Sequence, residues 1–148
     1  MGRVLGVDWG GRRVGLALSD PSRILASPLP NLVRRGSLQE AASALIAQIK
    51  RSEADLIVIG QPYYLDGSKS PMSLEIDALV ELLLAELSIP YILWDERLTT
   101  TQADRHLKAS GLNRKKRAQA VDSLAAVIIL QSYLDRLVSA SQHKTQIL

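Results

Sequence analysis

The chain has 148 residues, 47% hydrophobic and 22% charged, which is one domain's worth of ordinary globular composition and excludes a disordered chain. It has no cysteine and only two histidines, His106 and His143, which excludes disulfides, a thiol nucleophile, thiolate–zinc sites and an H-E-x-x-H metalloprotease. The net charge of +3 is unevenly spread, at +5 over residues 1–52, −8 over 53–96 and +6 over 97–148, and basic ends of this kind are compatible with a polyanionic partner.

The pattern along the chain alternates short apolar runs with longer amphipathic ones. Arg3–Asp8 reads as a buried strand through Val4-Leu5-Gly6-Val7, and Arg13–Ser19 as its hairpin partner across Trp9-Gly10-Gly11-Arg12. A third strand lies between Ile24 and Val33, interrupted by Pro28 and Pro30. Ser37-Leu38-Gln39-Glu40 has the spacing of a capping box, and Ala41, Leu45 and Ile49 then recur on one helical face. Asp55–Gly60 is a fully apolar strand of the parallel kind. Ser70-Pro71 opens a helix that runs to about Leu87, and Pro90–Asp95 is a further strand. A helix capped by Thr99 or Thr100 is expected to end near Gly111, and a last helix to run from about Lys116 to Leu137. This order predicts an α/β fold, a hairpin-started mixed sheet of five strands with helices on its faces. It is expected to form one domain over residues 1–138, followed by a frayed polar tail over 139–148. The longest apolar run, Leu124–Leu130, is far short of a membrane span, and Asp8 falls before any signal-like apolar region forms. A soluble cytoplasmic protein without a membrane partner is expected.

Three carboxylates stand out. Asp8 ends the first strand and Glu96 follows the last, where open α/β sheets place their ligands. Asp122 has Ala125, Ala126 and Ile129 as its helical neighbours, which puts it on or beside a packed face. An unpaired carboxylate there is costly and needs a cation, hydrogen bonds or an arginine such as Arg13 or Arg97. The bland alternatives are a strand-exit turn at Asp8 and a surface ion-pair cluster at Asp95-Glu96-Arg97. Three such acids together would suit a hard, oxygen-loving cation, Mg²⁺ or Mn²⁺. Gly10 and Gly11 would let backbone approach a ligand closely. Arg97 and the run Arg114-Lys115-Lys116-Arg117 are candidates for phosphate binding, or else a solvated helix start. Asp20-Pro21 and Asp66-Gly67 are turn signals.

The motifs then resemble a known family. Gly6-Val7-Asp8-Trp9-Gly10 with Val14-Gly15-Leu16-Ala17-Leu18-Ser19-Asp20 is similar to the opening hairpin of the YqgF/RuvX family. Gly60-x-Pro62 with Asp66-Gly67-Ser68, Asp95-Glu96-Arg97-Leu98-Thr99-Thr100 and Val121-Asp122-Ser123-Leu124-Ala125-Ala126 resemble its three later motifs, in order. The resemblance spans roughly residues 3 to 135. It implies a ribonuclease-H-like fold and places the family's three metal-holding, catalytic acids on Asp8, Glu96 and Asp122. Many members carry Gly-Leu-Pro-Leu-Asn-Met-Asp-Gly in the second motif, where this chain has Gln61, Tyr63, Tyr64 and Leu65. The tyrosines either stack on unpaired bases or anchor the loop to the core.

The resemblance implies a divalent-metal-dependent endonuclease, with Gly10, Arg12, Arg97 and Arg114–Arg117 holding nucleic acid. Maturation of the 5′ end of the 16S ribosomal RNA precursor is favoured, with ribosomal particles as a further partner. The alternatives are a Holliday junction resolvase cutting four-way DNA and a non-catalytic RNA-binding assembly factor. Junction resolution requires a homodimer, whereas end maturation can be done by a monomer. An ATP-dependent sugar-kinase-like reading needs a second domain that this length cannot hold.

Overall fold

The computed structural model describes residues 2–99 and 121–147, with backbone alone at 121–123 and 141–147. The opening strands are β1 (Val4–Trp9), β2 (Arg13–Ser19) and β3 (Ala26–Val33), paired antiparallel in succession. The register shifts between Val14 and Leu16, in the β2–β3 pair. Then come α1 (Leu38–Ser52), β4 (Leu56–Gln61), α2 (Pro71–Glu86) and β5 (Tyr91–Asp95). A 3₁₀ turn over Glu96–Leu98 follows β5, and α3 spans Val121–Ile147. The sheet order is β3-β2-β1-β4-β5, with β1–β4 and β4–β5 parallel. This is the predicted five-stranded mixed sheet.

α1 and α2 start where their local chemistry dictates. Ser37 accepts from the Glu40 amide while the Glu40 side chain accepts from the Ser37 amide, closing the capping box. Ser70 caps α2 through the Ser73 amide, with Pro71 in the first turn.

Side-chain alternation along the strands divides the core in two. On one face Leu5, Val7, Trp9, Ile57 and Ile59 pack against α1 and α2 through Leu45, Ile49, Ile76 and Leu79. On the other, Val4, Val58 and Trp94 pack against α3 through Ala126, Ile129, Leu130 and Leu134. Helices therefore cover both faces. α3 lies close on β1: a Cβ on Gly6 would stand 2.7 Å from Leu130 Cβ and 3.1 Å from the Ala126 carbonyl oxygen. The strand needs glycine there for the helix to approach.

Expectations about three element ends change, the first being β1, which runs one residue past Asp8 to Trp9 because Trp9 still pairs with Val14. α3 runs to Ile147, past the predicted end at Leu137. No glycine or proline occurs after Gly111, so nothing local stops the helix, and the polar run from Ser139 continues it. β4 includes Gln61 because its register with Asp95 carries the ladder one residue past Gly60. The predicted helix up to Gly111 and the start of the last helix at Lys116 lie outside the described residues.

The topology builds one functional rim. The C-terminal ends of β1, β4 and β5 lie beside the start of β2 and the end of β3. Across that rim run the end of β3 with Arg34 and Arg35, the hairpin tip with Arg12 and Arg13, Asp8, the loop of residues 62–69, and Asp95 with Glu96.

Candidate active site

Asp8 and Glu96 meet on the α3 face of the sheet. Asp8 alternates with Gly6 and Val4 along β1 and is half-buried at the rim. Glu96 opens the 3₁₀ turn after β5 and folds back over Gly60 of β4. A Cβ on Gly60 would stand 3.1 Å from Glu96 Cδ and 2.7 Å from Ile129 Cδ1. The missing side chain at Gly60 is the seat of the Glu96 carboxyl.

Burial, the negative charge of Asp8 and that of Asp95 together push the Glu96 carboxyl from its ordinary 4.5 up to about 7. The sheet thus holds two carboxylates near enough to repel, one of them poorly hydrated. Relief comes from a proton or from a cation.

Asp122 lies in α3, one turn before Ala126, the residue that rests over Gly6. Its side chain lies outside the described residues, as does the whole Arg114–Arg117 run. The backbone of α3 therefore supplies the third acid's position in the fold and nothing of its contacts.

Arg97 is committed to the protein itself. Its Nε and Nη2 donate to the Asp95 carboxylate at 2.6–3.0 Å, and its Nη1 donates to the Leu65 carbonyl at 3.3 Å. Its guanidinium also lies 5.7 Å from the Tyr63 ring centroid. The fork lowers the Asp95 carboxyl below its ordinary value. Adjacent acids are driven apart: Asp95 is a structural anion, and Glu96 is the strained one.

Gly10 closes the hairpin, its amide donating to the Arg13 carbonyl at 3.0 Å. The turn is braced by Glu75 of α2 and Arg34 after β3, residues for which the sequence carries no local signal. Trp9 Nε1 donates to Glu75 at 2.7 Å, and Arg34 pairs with the same carboxylate. Arg34 also donates to the Gly10 carbonyl at 2.9 Å and lies 4.7 Å over the Trp9 ring. This network fixes the end of β1 immediately after Asp8. Arg12 and Arg13 are exposed, and neither forms an ion pair with a described residue.

The remaining acids are structural. Asp20 accepts the Ile24 and Leu25 amides at 2.8 and 3.0 Å, which holds its carboxyl below the ordinary value. It follows Ser19, whose hydroxyl accepts from the Val4 amide, so it sits at the sheet end opposite Asp8. Asp66 accepts from the Ser68 amide and hydroxyl within its loop.

Gly60→Ala tests the seat. The displaced atoms are side-chain tips, so the fold gives by a few tenths of an ångström. Glu96 loses its placement, and about a tenfold fall in turnover is expected with little change in melting temperature. Steady-state kinetics and thermal denaturation check it.

The arrangement has known counterparts. The family model described as "RuvX: Holliday junction resolvase" matches residues 2–136. A protein of Koribacter versatilis named "Putative pre-16S rRNA nuclease" is 42% identical over 135 residues, covering 91% of this chain and 88% of its own. A protein of Protochlamydia amoebophila bearing the same name is 42% identical over 139 residues, covering 90% and 93%. Among solved structures, Thermus thermophilus RuvC in complex with a Holliday junction substrate superposes with a TM-score of 0.58 at 15% identity, covering 89% of this chain and 92% of that one. That likeness is one of fold, which is ribonuclease-H-like.

Proposed function

Because the chain belongs to the RuvX family, we propose that it is a divalent-cation-dependent endonuclease that matures the 5′ end of the 16S ribosomal RNA precursor. The observation that carries the reading is the Asp8–Glu96 pair, two carboxylates held together at the strand ends with Glu96 poorly hydrated. Such a pair fits a hard cation by its donor chemistry, and Asp122 is assigned as the third ligand. When bound, Mg²⁺ or Mn²⁺ polarises a phosphoryl oxygen and lowers the pKa of water.

The chain's own residues do the rest. Glu96 enters the site from a seat on Gly60, shielded from water on the α3 side, which strengthens its electrostatics. Asp8 is fixed by β1 and by the Trp9–Glu75–Arg34 brace. Arg12, with the Arg114–Arg117 run, is assigned to the phosphate backbone, so binding weakens steeply with salt. In-line attack by water then leaves a 5′-phosphate and a 3′-hydroxyl. No described helix is long and apolar enough to cross a membrane. The cytoplasm and ribosomal particles as partners belong to this reading, which a single subunit can carry out.

Four-way DNA is the second reading, favoured by the description of the family model. It requires a homodimer. Labelled precursor RNA and a four-way junction, each incubated with Mn²⁺ and the purified chain, separate the two. Site-specific RNA cleavage with the junction intact is expected. Paired symmetric nicks in the junction with the RNA untouched would reverse the ranking. Tight RNA binding without cleavage of either would instead make the protein an assembly factor.

A further inference from the structure

The loop of residues 62–69 is built more rigidly than a surface connection requires. The Ser70 and Ser73 hydroxyls both donate to the Pro62 carbonyl, at 2.8 and 3.2 Å. The Tyr64 amide donates to Ser68 O and the Gly67 amide to Tyr64 O, closing a tight turn in which Gly67 has a φ of +88°. Lys69 pairs with Asp77 of α2, and the same carboxylate accepts from the buried Gln61 amide. Arg97 ties the loop to Asp95, beside Glu96.

This scaffold holds its largest side chains out in water. Leu65 is 94% exposed and Tyr64 53%, and Leu98 on the neighbouring 3₁₀ turn is 57% exposed. Leaving a leucine that exposed forgoes about 2 kcal/mol of burial. Tyr63, by contrast, lies against Arg97 and serves the loop. The structure thus separates the tyrosines, Tyr63 set against Arg97 and Tyr64 presented to solvent.

Position on the rim identifies the occupant. The exposed arginines Arg12, Arg13 and Arg35 stand on the β2–β3 side of Asp8, and the Tyr64–Leu65 lip leaves β4, between the strands that lead to Asp8 and Glu96. A polyanion crossing the acids would lay its charged backbone toward the arginines. What reaches the lip must be flat and apolar-faced, which describes a nucleobase. A base within a continuous duplex has both faces covered by its neighbours, so only an unpaired base presents a face to a side chain.

We propose that Tyr64 and Leu65, latched by Arg97 to Asp95 beside Glu96, form a stacking platform for an unpaired nucleotide beside the scissile phosphodiester. The platform rests on the nuclease reading and deepens it: the enzyme selects single-stranded segments or strand junctions over continuous duplex. Tyr64 and Leu65 are specificity-determining residues, and Arg97 is a positioning residue.

Fluorescence anisotropy on the full chain, without added divalent cation so that nothing is cut, tests it. The probes are a single-stranded RNA, a DNA strand of the same sequence and a blunt duplex. For the double variant Tyr64→Ala, Leu65→Ser, affinity for both single strands is expected to fall about tenfold to a hundredfold, the range for a stacked base. Duplex affinity and its salt dependence should not move, and Tyr64→Trp should bind at least as well as wild type. An equal loss on all three probes, no loss on any, a loss confined to RNA, or failure of Tyr64→Trp would each overturn the platform. The parent reading is separable: wild-type chain that cleaves RNA while the double variant binds normally fails the platform alone. Wild-type chain that neither binds nor cleaves fails both.

Discussion

Glu96→Gln is expected to abolish cleavage and, at pH 8 without divalent cation, to make the protein more stable. The carboxyl keeps its proton to about pH 7 in the fold but only to about 4.5 in the unfolded chain. Between those values the folded state binds the extra proton, so this group's contribution to stability is full below pH ~4.5. It is lost as pH rises through 7. At pH 8 the ionised carboxylate therefore opposes folding, on the order of 2 kcal/mol once water's access to part of it is allowed for. A neutral amide of similar shape removes that opposition. Denaturant melts of both proteins at pH 5 and pH 8 should show the full gain at pH 8 and only about a quarter of it at pH 5. Adding Mn²⁺ at pH 8 should raise the melting temperature of the wild type and leave that of Glu96→Gln nearly unchanged. A variant that is less stable at both pH values would mean that Glu96 is a structural acid and not a strained ligand.

Asp8→Asn is expected to reduce cleavage by at least a thousandfold with the fold intact. Asn keeps the size of the carboxylate and one acceptor oxygen but removes its charge, and charge is what a divalent cation selects. The same substitution has a second signature, independent of turnover. Asp8 contributes to the raised Glu96 pKa, after burial, so its neutralisation should shift the Glu96 midpoint downward without returning it to 4.5. The pH dependence of stability reports that midpoint. Full retained activity would remove Asp8 from the metal site, and an unmoved midpoint would separate it from Glu96 in space.

Much of this was legible from the chain because it rests on near neighbours. A carboxylate directly after four apolar strand residues has to emerge at a sheet rim, and Asp8 does. The capping box at Ser37 and the Ser70-Pro71 start rest on contacts three residues apart, and both form as read. Arg97 shows where such reading stops. Its charge and place suit a phosphate, and the chain alone does not show that its guanidinium also holds Asp95 two residues away and Leu65 across the loop. A sequence gives an arginine's charge but not the partners it meets in the fold.

The sequence by itself determined the hairpin, the parallel additions, the helices on both faces and the two acids that face each other. All follow from periodicity of two or of 3.6, from caps, and from turns, which are short-range physics. Only the tertiary structure decided that Gly60 is a seat for Glu96, that Glu75 braces the turn after Asp8 from 66 residues beyond Trp9, and that Tyr63 anchors the loop while Tyr64 is presented. Those facts depend on which strands become neighbours and how closely helix and sheet approach. Burial then changes the chemistry: the same Glu side chain that is an ordinary acid in the chain becomes, between Asp8, Asp95 and a dry helix face, one that holds its proton to about pH 7.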